Sequence, residues 1–295
     1  MSRYLVTGGS GRLGRSVVSV LSAAGHEVVS VDRHPHPEST VRQIAADLSD
    51  PVATRALLAD VRPDGVVHLA AIAVPFTSPD PQLFATNTGL AFSVLEASLE
   101  AGVQSLLFAS SPTVIGYGAP SGWQPDYLPI DERHPTAPWN GYALSKVAVE
   151  AIAGMAVRAY GDRIRLGSFR PCYVIAPEEW SGAPTQQGHT VAERLEKPEL
   201  SAVALFNYVD ARDAGDFVLA WLTHADSIPN GSTFFVGAKD SLARGEIGEL
   251  IARYRPELAA SAGALAPDAA IFSSEQAERL LGWHATRSWR TELVS

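Results

Sequence analysis

Tyr142 and Lys146 lie four residues apart in Asn140-Gly141-Tyr142-Ala143-Leu144-Ser145-Lys146, so a helix there puts both side chains on one face. A phenol titrates near pH 10 in water and is a poor base at neutral pH. A neighbouring ammonium favours the phenolate and lowers that value. The pair therefore suits removal of a proton from a substrate hydroxyl as hydride leaves its carbon, or the reverse step in a reduction. The lysine can also hold a ribose hydroxyl of a cofactor, and an oxidised nicotinamide would pull the phenol in the same direction. Ser111 ends the run Gln104-Ser105-Leu106-Leu107-Phe108-Ala109-Ser110-Ser111. Open α/β sheets hold ligands at the carboxyl ends of their strands, so its hydroxyl is expected to bond the same substrate oxygen. Alone, the Tyr/Lys spacing reads equally as an amphipathic helix with a core tyrosine and a solvated lysine.

The elements that must position these groups start at the N-terminus. Thr7-Gly8-Gly9-Ser10-Gly11-Arg12-Leu13-Gly14 follows the apolar run Tyr4-Leu5-Val6 and precedes a helical pattern with apolar residues at 17, 20, 21 and 24. A strand, a glycine-rich turn and a helix start form an anion site, because backbone N–H groups and the positive end of the helix dipole face the ligand. Gly9, Gly11 and Gly14 give one dinucleotide-binding register, and Gly8, Gly11 and Gly14 another. The next strand, Glu27 to Val31, ends at Asp32, where a carboxylate can accept from an adenosine ribose. Asp32 favours NAD by accepting the 2′-hydroxyl and repelling a 2′-phosphate, whereas Arg33 and Arg12 could clamp that phosphate of NADP. Asp47-Leu48, after a short strand from Val41 to Ala45, is placed to meet the adenine edge or to start a turn.

Strand and helix then alternate, which predicts a doubly wound parallel sheet with helices on both faces. Pro51 to Ala59 is a helix capped by Asp50. Gly65 to Ala71 is a strand buried on both faces, with Leu69, Ala70 and Ala71 leaving room for a ligand and His68 a core histidine. Pro81 to Ala101 is a long helix stopped by Gly102. From Pro112 to about Trp139 runs a loop rich in Pro, Gly and aromatics, expected to rim the site. A helix to about Tyr160 and a strand from Ile164 to Pro171 follow. The polar stretch from Ala176 to Glu199 suits a substrate lobe. Val203 to Val209 is expected as strand, Asp210 to Leu222 as helix, Thr233 to Val236 as strand, Leu242 to Tyr254 as helix, and Ser273 to Trp283 as a short capped helix. The division expected is a Rossmann core of residues 1–173 and 203–236 and a lobe of 174–202 and 237–295. Val74, Phe76, Thr113, Trp123, Arg170, Trp180 and His189 are the expected substrate contacts. Arg170 either meets a carboxylate bidentately or braces the sheet.

Composition narrows the class. The 295 residues can bury one large core, and 46% apolar with 19% charged residues is ordinary for a globular protein. A formal charge of −9 argues against nucleic acid or an anionic membrane as partner. No apolar run approaches the roughly 20 residues of a membrane helix. The chain enters its first strand at once, leaving no room for a signal peptide, and its single cysteine, Cys172, has no intrachain partner. A cytoplasmic protein is the expectation. No metal-ligand cluster stands out.

With these residues in order, the chain resembles the short-chain dehydrogenase/reductase superfamily in its extended branch, the NAD-dependent epimerase/dehydratase family. The glycine-rich run, Asp32, Asp47-Leu48, His68 to Ala71, Asn87, Ser110 to Gly116, Tyr142 to Lys146, Phe169-Arg170-Pro171 and Tyr208 to Asp213 carry the likeness. The resemblance implies the Gly8, Gly11, Gly14 register, a Ser111, Tyr142, Lys146 catalytic set, a supporting role for Asn87, about seven parallel strands and a homodimer built on the helices near 81–101 and 142–160. Family members acting on nucleotide sugars tend to have an Asn after the strand-six arginine and a basic residue before the segment at 208–213; Pro171 and Leu205-Phe206-Asn207 depart from both. A loose likeness to uronate dehydrogenases runs from Ser111 to Gly118, with Thr113 where those have His. The expected activity is an NAD(P)-dependent oxidoreductase on a small sugar-type hydroxyl or carbonyl compound. The alternatives are a sugar or nucleotide-sugar epimerase/dehydratase and a non-catalytic NAD(P) sensor.

Overall fold

The computed structural model describes residues 1–263 and 265–293. Seven strands form one parallel sheet: β1 (Arg3–Thr7), β2 (Glu27–Asp32), β3 (Arg42–Ala45), β4 (Gly65–His68), β5 (Ser105–Ala109), β6 (Arg165–Pro171) and, after two short strands, β9 (Thr233–Val236). Their order is β3-β2-β1-β4-β5-β6-β9. The order reverses between β1 and β4, which opens a crevice at their carboxyl ends. Leu5, Val29, Val66 and Leu106 are fully buried, as strands covered on both faces require.

Four long helices follow the first strands: α1 (Arg12–Ala23), α2 (Pro51–Val61), α3 (Asp80–Ala101) and α4 (Gly141–Tyr160). Asp50 caps α2 by accepting from Val52 and Ala53 N–H, and Asn140 caps α4 by accepting from Ala143 N–H at 2.9 Å. Asparagine at that cap fixes where α4 begins, and so the rotation that turns Tyr142 and Lys146 toward the sheet. Gly102, at φ 72°, stops α3 in the left-handed conformation that glycine adopts without strain. One core lies between α2, α3, α4 and the sheet; a second, on the other face, gathers α1 and the later helices.

The second half departs from the sequence expectation at two elements. Residues 203–208 are not strand. Leu205 and Phe206 take φ of 53° and 54°, which reverses the chain, and only Val209–Asp210 (β8) pairs, parallel, with Val174–Ile175 (β7). The apolar pattern there records full burial of Leu205 and Phe206 in a turn. The helix expected from Leu242 starts only at Ile247, because Gly245 at φ 111° precedes it.

Between β7 and β8 lie α5 (Pro177–Trp180), α6 (Val191–Glu196) and α7 (Glu199–Ala202). After β8 come α8 (Ala211–His224), α9 (Ile247–Tyr254), α10 (Ala259–Ala262), α11 (Glu275–Leu281) and α12 (Trp289–Glu292). A third apolar cluster joins Ile175, Trp180, Val191 and Leu195 to Tyr208, Leu242 and Trp289. Asp213 ties the C-terminal segment to α8. Buried at 1% exposure, it accepts from Thr286 and Arg287 N–H at 3.1 and 2.8 Å and from the Arg287 side chain at 2.6 Å.

Candidate active site

The crevice at the β1/β4 reversal widens into a cavity of about 840 Å³. Its inner wall is the glycine-rich turn. Gly11 donates to the Gly8 carbonyl at 3.1 Å, and α1 opens at Gly11 with no side-chain cap. The first N–H groups of a twelve-residue helix thus face the cavity, where Arg12 and Leu13 line it. The glycines are required by space. A Cβ on Gly14 would stand 2.1 Å from the Gly8 carbonyl oxygen, and one on Gly8 2.8 Å from the Ala70 nitrogen. Gly8 also takes φ 69°, so the register with Gly8, Gly11 and Gly14 is the one built into the turn. Gly9 Cβ would meet the Ser30 side chain, a packing constraint rather than part of the cavity wall. This cradle fits a dinucleotide pyrophosphate.

Thr7 locks the turn to β4. Its hydroxyl accepts from Leu69 and Ala70 N–H, both at 3.2 Å, and so gives its own proton to His68 Nδ1 at 2.8 Å. His68 is therefore the Nε2–H tautomer, and burial pushes its pKa down to about 3, with the Lys146 charge adding to the effect. It is a neutral core histidine. Asp32 accepts from Ser10 and His34 N–H at 3.2 and 3.3 Å, holding the glycine turn against the end of β2. Arg33 and Asp47 are exposed nearby, and Leu48 is buried in the core.

Ser111, Tyr142 and Lys146 line the same cavity. Tyr142 is 8% exposed and Lys146 5%. Lys146 Nζ donates to the Ala109 carbonyl at 2.9 Å and sits over the Tyr142 ring, 5.7 Å from its centroid. The Ser111 hydroxyl accepts from Thr113 N–H at 3.3 Å and from the Thr113 hydroxyl at 2.9 Å, so its own proton is left for the Tyr142 oxygen or a ligand in the cavity. Burial pushes the Tyr142 phenol up, and hydrogen bonding with Ser111 pulls it back. The expectation that Lys146 lowers Tyr142 is thus not met in the protein alone: desolvation is the larger influence, and the ammonium lies over the ring rather than at the phenol oxygen. Burial brings Lys146 itself down to about 8, with Glu150 opposing the fall.

The other expected residues separate. Leu69, Ala71, Val74, Phe76 and Thr113 line the cavity. Ala70 gives its N–H to Thr7 instead. Asn87 is buried behind the wall: it accepts from Ile72 N–H at 2.8 Å and donates to the Ser145 hydroxyl at 3.1 Å, tying the loop after β4 to α4. Arg170 is not a cavity residue. Its Nε and Nη2 each donate to Glu150 at 2.8 Å and its guanidinium lies over Phe235, so it braces the sheet against α4. Trp180 is buried, donating to Asp210 at 2.7 Å. Trp123 packs behind the wall on Tyr117, with ring centroids 6.4 Å apart, and His189 is exposed. Sequence reasoning missed Tyr117, Tyr173, Gln186, Gln187, Asn207 and Arg255, which do line the cavity. Tyr117, Gln186 and Gln187 stand in segments expected near the site, but Asn207 and Arg255 carry no local signal.

This sheet order, with a glycine cradle at the reversal and a serine, tyrosine and lysine in one cavity, defines a dinucleotide-dependent enzyme of the short-chain dehydrogenase/reductase type. Residues 4–237 match the NAD dependent epimerase/dehydratase family, and the chain belongs to it. Its cofactor is the family's NAD. The chain is 28% identical to UDP-glucose 4-epimerase of Lacticaseibacillus casei, covering 94% of this chain and 90% of that protein. To the enzyme of that name from Azospirillum brasilense it is 33% identical, over 55% of this chain and 46% of the other, about half that relative's length. The fold is shared with a UDP-glucose-4-epimerase from Stenotrophomonas maltophila with bound NAD and formylated UDP-arabinopyranose, at a TM-score of 0.74 and 21% identity over 99% of this chain and 96% of that one. No helix among the described residues is long and apolar enough to cross a membrane.

Proposed function

We propose that this protein is an NAD-dependent epimerase that inverts a hydroxyl-bearing carbon of a sugar, with nucleotide sugars the first class to test. The observation that carries the reading is the shared cavity: Ser111, Tyr142 and Lys146 open onto the same space as the glycine turn. Likeness to UDP-glucose 4-epimerases supports epimerisation over the net oxidation expected from sequence.

Bound NAD supplies a hydride acceptor that can give the hydride back. The protein's own groups handle the proton. Tyr142 takes it from the substrate hydroxyl and returns it to the carbonyl oxygen formed. Ser111, its lone pairs taken up by Thr113, donates to that oxygen and fixes it against the phenol. Lys146, held by the Ala109 carbonyl, places positive charge beneath the Tyr142 ring, which favours the phenolate at the moment of transfer. Leu69, Ala71 and Val74 give the reacting carbon an apolar wall that excludes water. Gly8, Gly11, Gly14, Arg12 and Leu13 hold the pyrophosphate, with Asp32 toward the ribose.

The test is to incubate the protein with UDP-galactose and follow UDP-glucose by chromatography, while reading absorbance for NADH. Interconversion without NADH accumulation supports the proposal. Steady NADH release with uronic acids or aldoses, and no interconversion, would replace it with net oxidation. That second reading has one observation in its favour: Leu205-Phe206-Asn207 brings no basic side chain to the substrate end. Phe92 on α3 and Leu144 on α4 remain 44% and 47% exposed, which supports a homodimer on these helices, to be read by sedimentation.

A further inference from the structure

Three elements contribute polar side chains to the cavity wall beyond the glycine turn and the Ser111, Tyr142, Lys146 set. Tyr117 comes from the loop after β5, Asn207 from the turn at Leu205-Phe206, and Arg255 from the residue after α9; all three line the cavity. We propose that Tyr117, Asn207 and Arg255 form an oxyanion subsite that seats a carboxylate or phosphate group of the substrate. This rests on the reading of the cavity as the substrate site.

The hydrogen bonds leave donors in place. Asn207 is fixed at both ends of its amide: its Oδ1 accepts from Tyr173 N–H at 2.7 Å and its Nδ2 donates to the Ala204 carbonyl. The second Nδ2 hydrogen is left for the Tyr117 oxygen, with which Asn207 interacts. Tyr117 then has its own O–H to give to a ligand. Burial pushes its phenol well above the ordinary value, so it stays a donor at neutral pH.

Arg255 is held rigidly for this task. Its Nε donates to Glu257 at 2.5 Å and its Nη1 to the Ala202 carbonyl at 2.9 Å, while the side chain is 13% exposed. Among the described residues Nη2 makes no hydrogen bond, and it is the edge that remains for a ligand. Glu257, at 35% exposure, is the more solvated partner and offsets only part of the charge. The other cations of the cavity serve its cofactor side in this reading: Arg12 opens α1 at the glycine turn, and Lys146 bonds the Ala109 carbonyl. Arg255 is the guanidinium that a substrate anion can meet apart from the pyrophosphate cradle.

The test is calorimetric titration of the NAD-loaded protein with galacturonate, galactose 1-phosphate, UDP and neutral galactose. The proposal expects at least one anionic probe to bind about tenfold or more tighter than galactose, as a charge-assisted hydrogen bond provides. In Arg255→Gln that advantage falls about tenfold to a hundredfold, Arg255→Lys keeps part of it, and Tyr117→Phe loses a smaller part. Which probe wins separates a sugar acid from a sugar phosphate or nucleotide. Unchanged NADH affinity certifies that each variant is folded. Equal binding of galactose and every anion overturns the subsite, as does full anion affinity in Arg255→Gln. Retained anion binding without any epimerisation would instead refute the proposed function and leave the subsite standing.

Discussion

Glu150 grips Arg170 through two parallel hydrogen bonds of 2.8 Å and accepts from the Ser110 hydroxyl at 2.6 Å. Glu150 stands four residues beyond Lys146 and eight beyond Tyr142, on the same face of α4. One carboxylate thus joins the helix that carries Tyr142 and Lys146 to β6 and to the residue before Ser111. Glu150→Gln leaves a buried guanidinium with a neutral partner and should lower stability by about 3 kcal/mol. Glu150→Leu combined with Arg170→Met should recover most of that loss, since burying an ion pair is costly in itself. Urea denaturation of the three proteins checks this; a double variant less stable than the single one would show the pair to be worth more than its desolvation.

Lys146 links the site to pH. Its folded pKa of about 8 lies below the ordinary 10.5, through burial. Between these values the unfolded chain binds more protons, so this group makes stability rise with pH across that window. Cys172 works in the opposite sense above about pH 9, because burial raises its thiol. The comparison must therefore be a difference: Tm of the wild type minus Tm of Lys146→Met, measured without cofactor from pH 7 to 10. The difference should move in favour of the wild type as pH increases. A flat difference would mean that the lysine is solvated.

Tyr142→Phe removes a hydroxyl and little packing. Activity with whatever sugar proves to be turned over should fall by about a hundredfold to ten-thousandfold, the usual weight of a positioned acid/base. NADH affinity and Tm should change little. An active phenylalanine variant would remove Tyr142 from the chemistry.

Gly14→Ala and Gly25→Ala form a contrasting pair at the two ends of α1. A Cβ on Gly14 meets the Gly8 carbonyl oxygen at 2.1 Å, so the cradle must distort, and NADH fluorescence titration should show no saturation. Gly25, at φ 84°, has open space around it. Alanine there should cost about 1 kcal/mol of backbone strain and leave NADH affinity intact.

Asp32→Ala should loosen the glycine turn, since its carboxylate accepts from Ser10 N–H. It should also narrow the preference for NADH over NADPH by removing a charge that repels a 2′-phosphate. Paired titrations of both nucleotides measure the ratio; an unchanged ratio would place the discrimination elsewhere.

The sequence by itself determined the sheet, and it placed the glycine turn, Ser111, Tyr142 and Lys146 that one cavity gathers. These are set by local rules: buried parallel strands read as continuous apolar runs, Gly8, Gly11 and Gly14 mark where no Cβ fits, and a four-residue spacing puts Tyr142 and Lys146 on one helix face. Tertiary structure decided the rest. Whether Arg170 meets a ligand or Glu150 depends on how α4 lies on β6. Whether Trp180 faces a substrate or Asp210 depends on how α5 packs against β8. The reversal at Leu205-Phe206 hid in an apolar run because burial, not strand pairing, set its pattern. Asn207 and Arg255 reach the cavity from turns far apart in the chain, and no local spacing records that the tertiary fold brings both to its wall. Even the Tyr142 pKa belongs to this second group: the sequence supplies an ammonium to lower it, and the depth of burial, which only the fold sets, raises it instead.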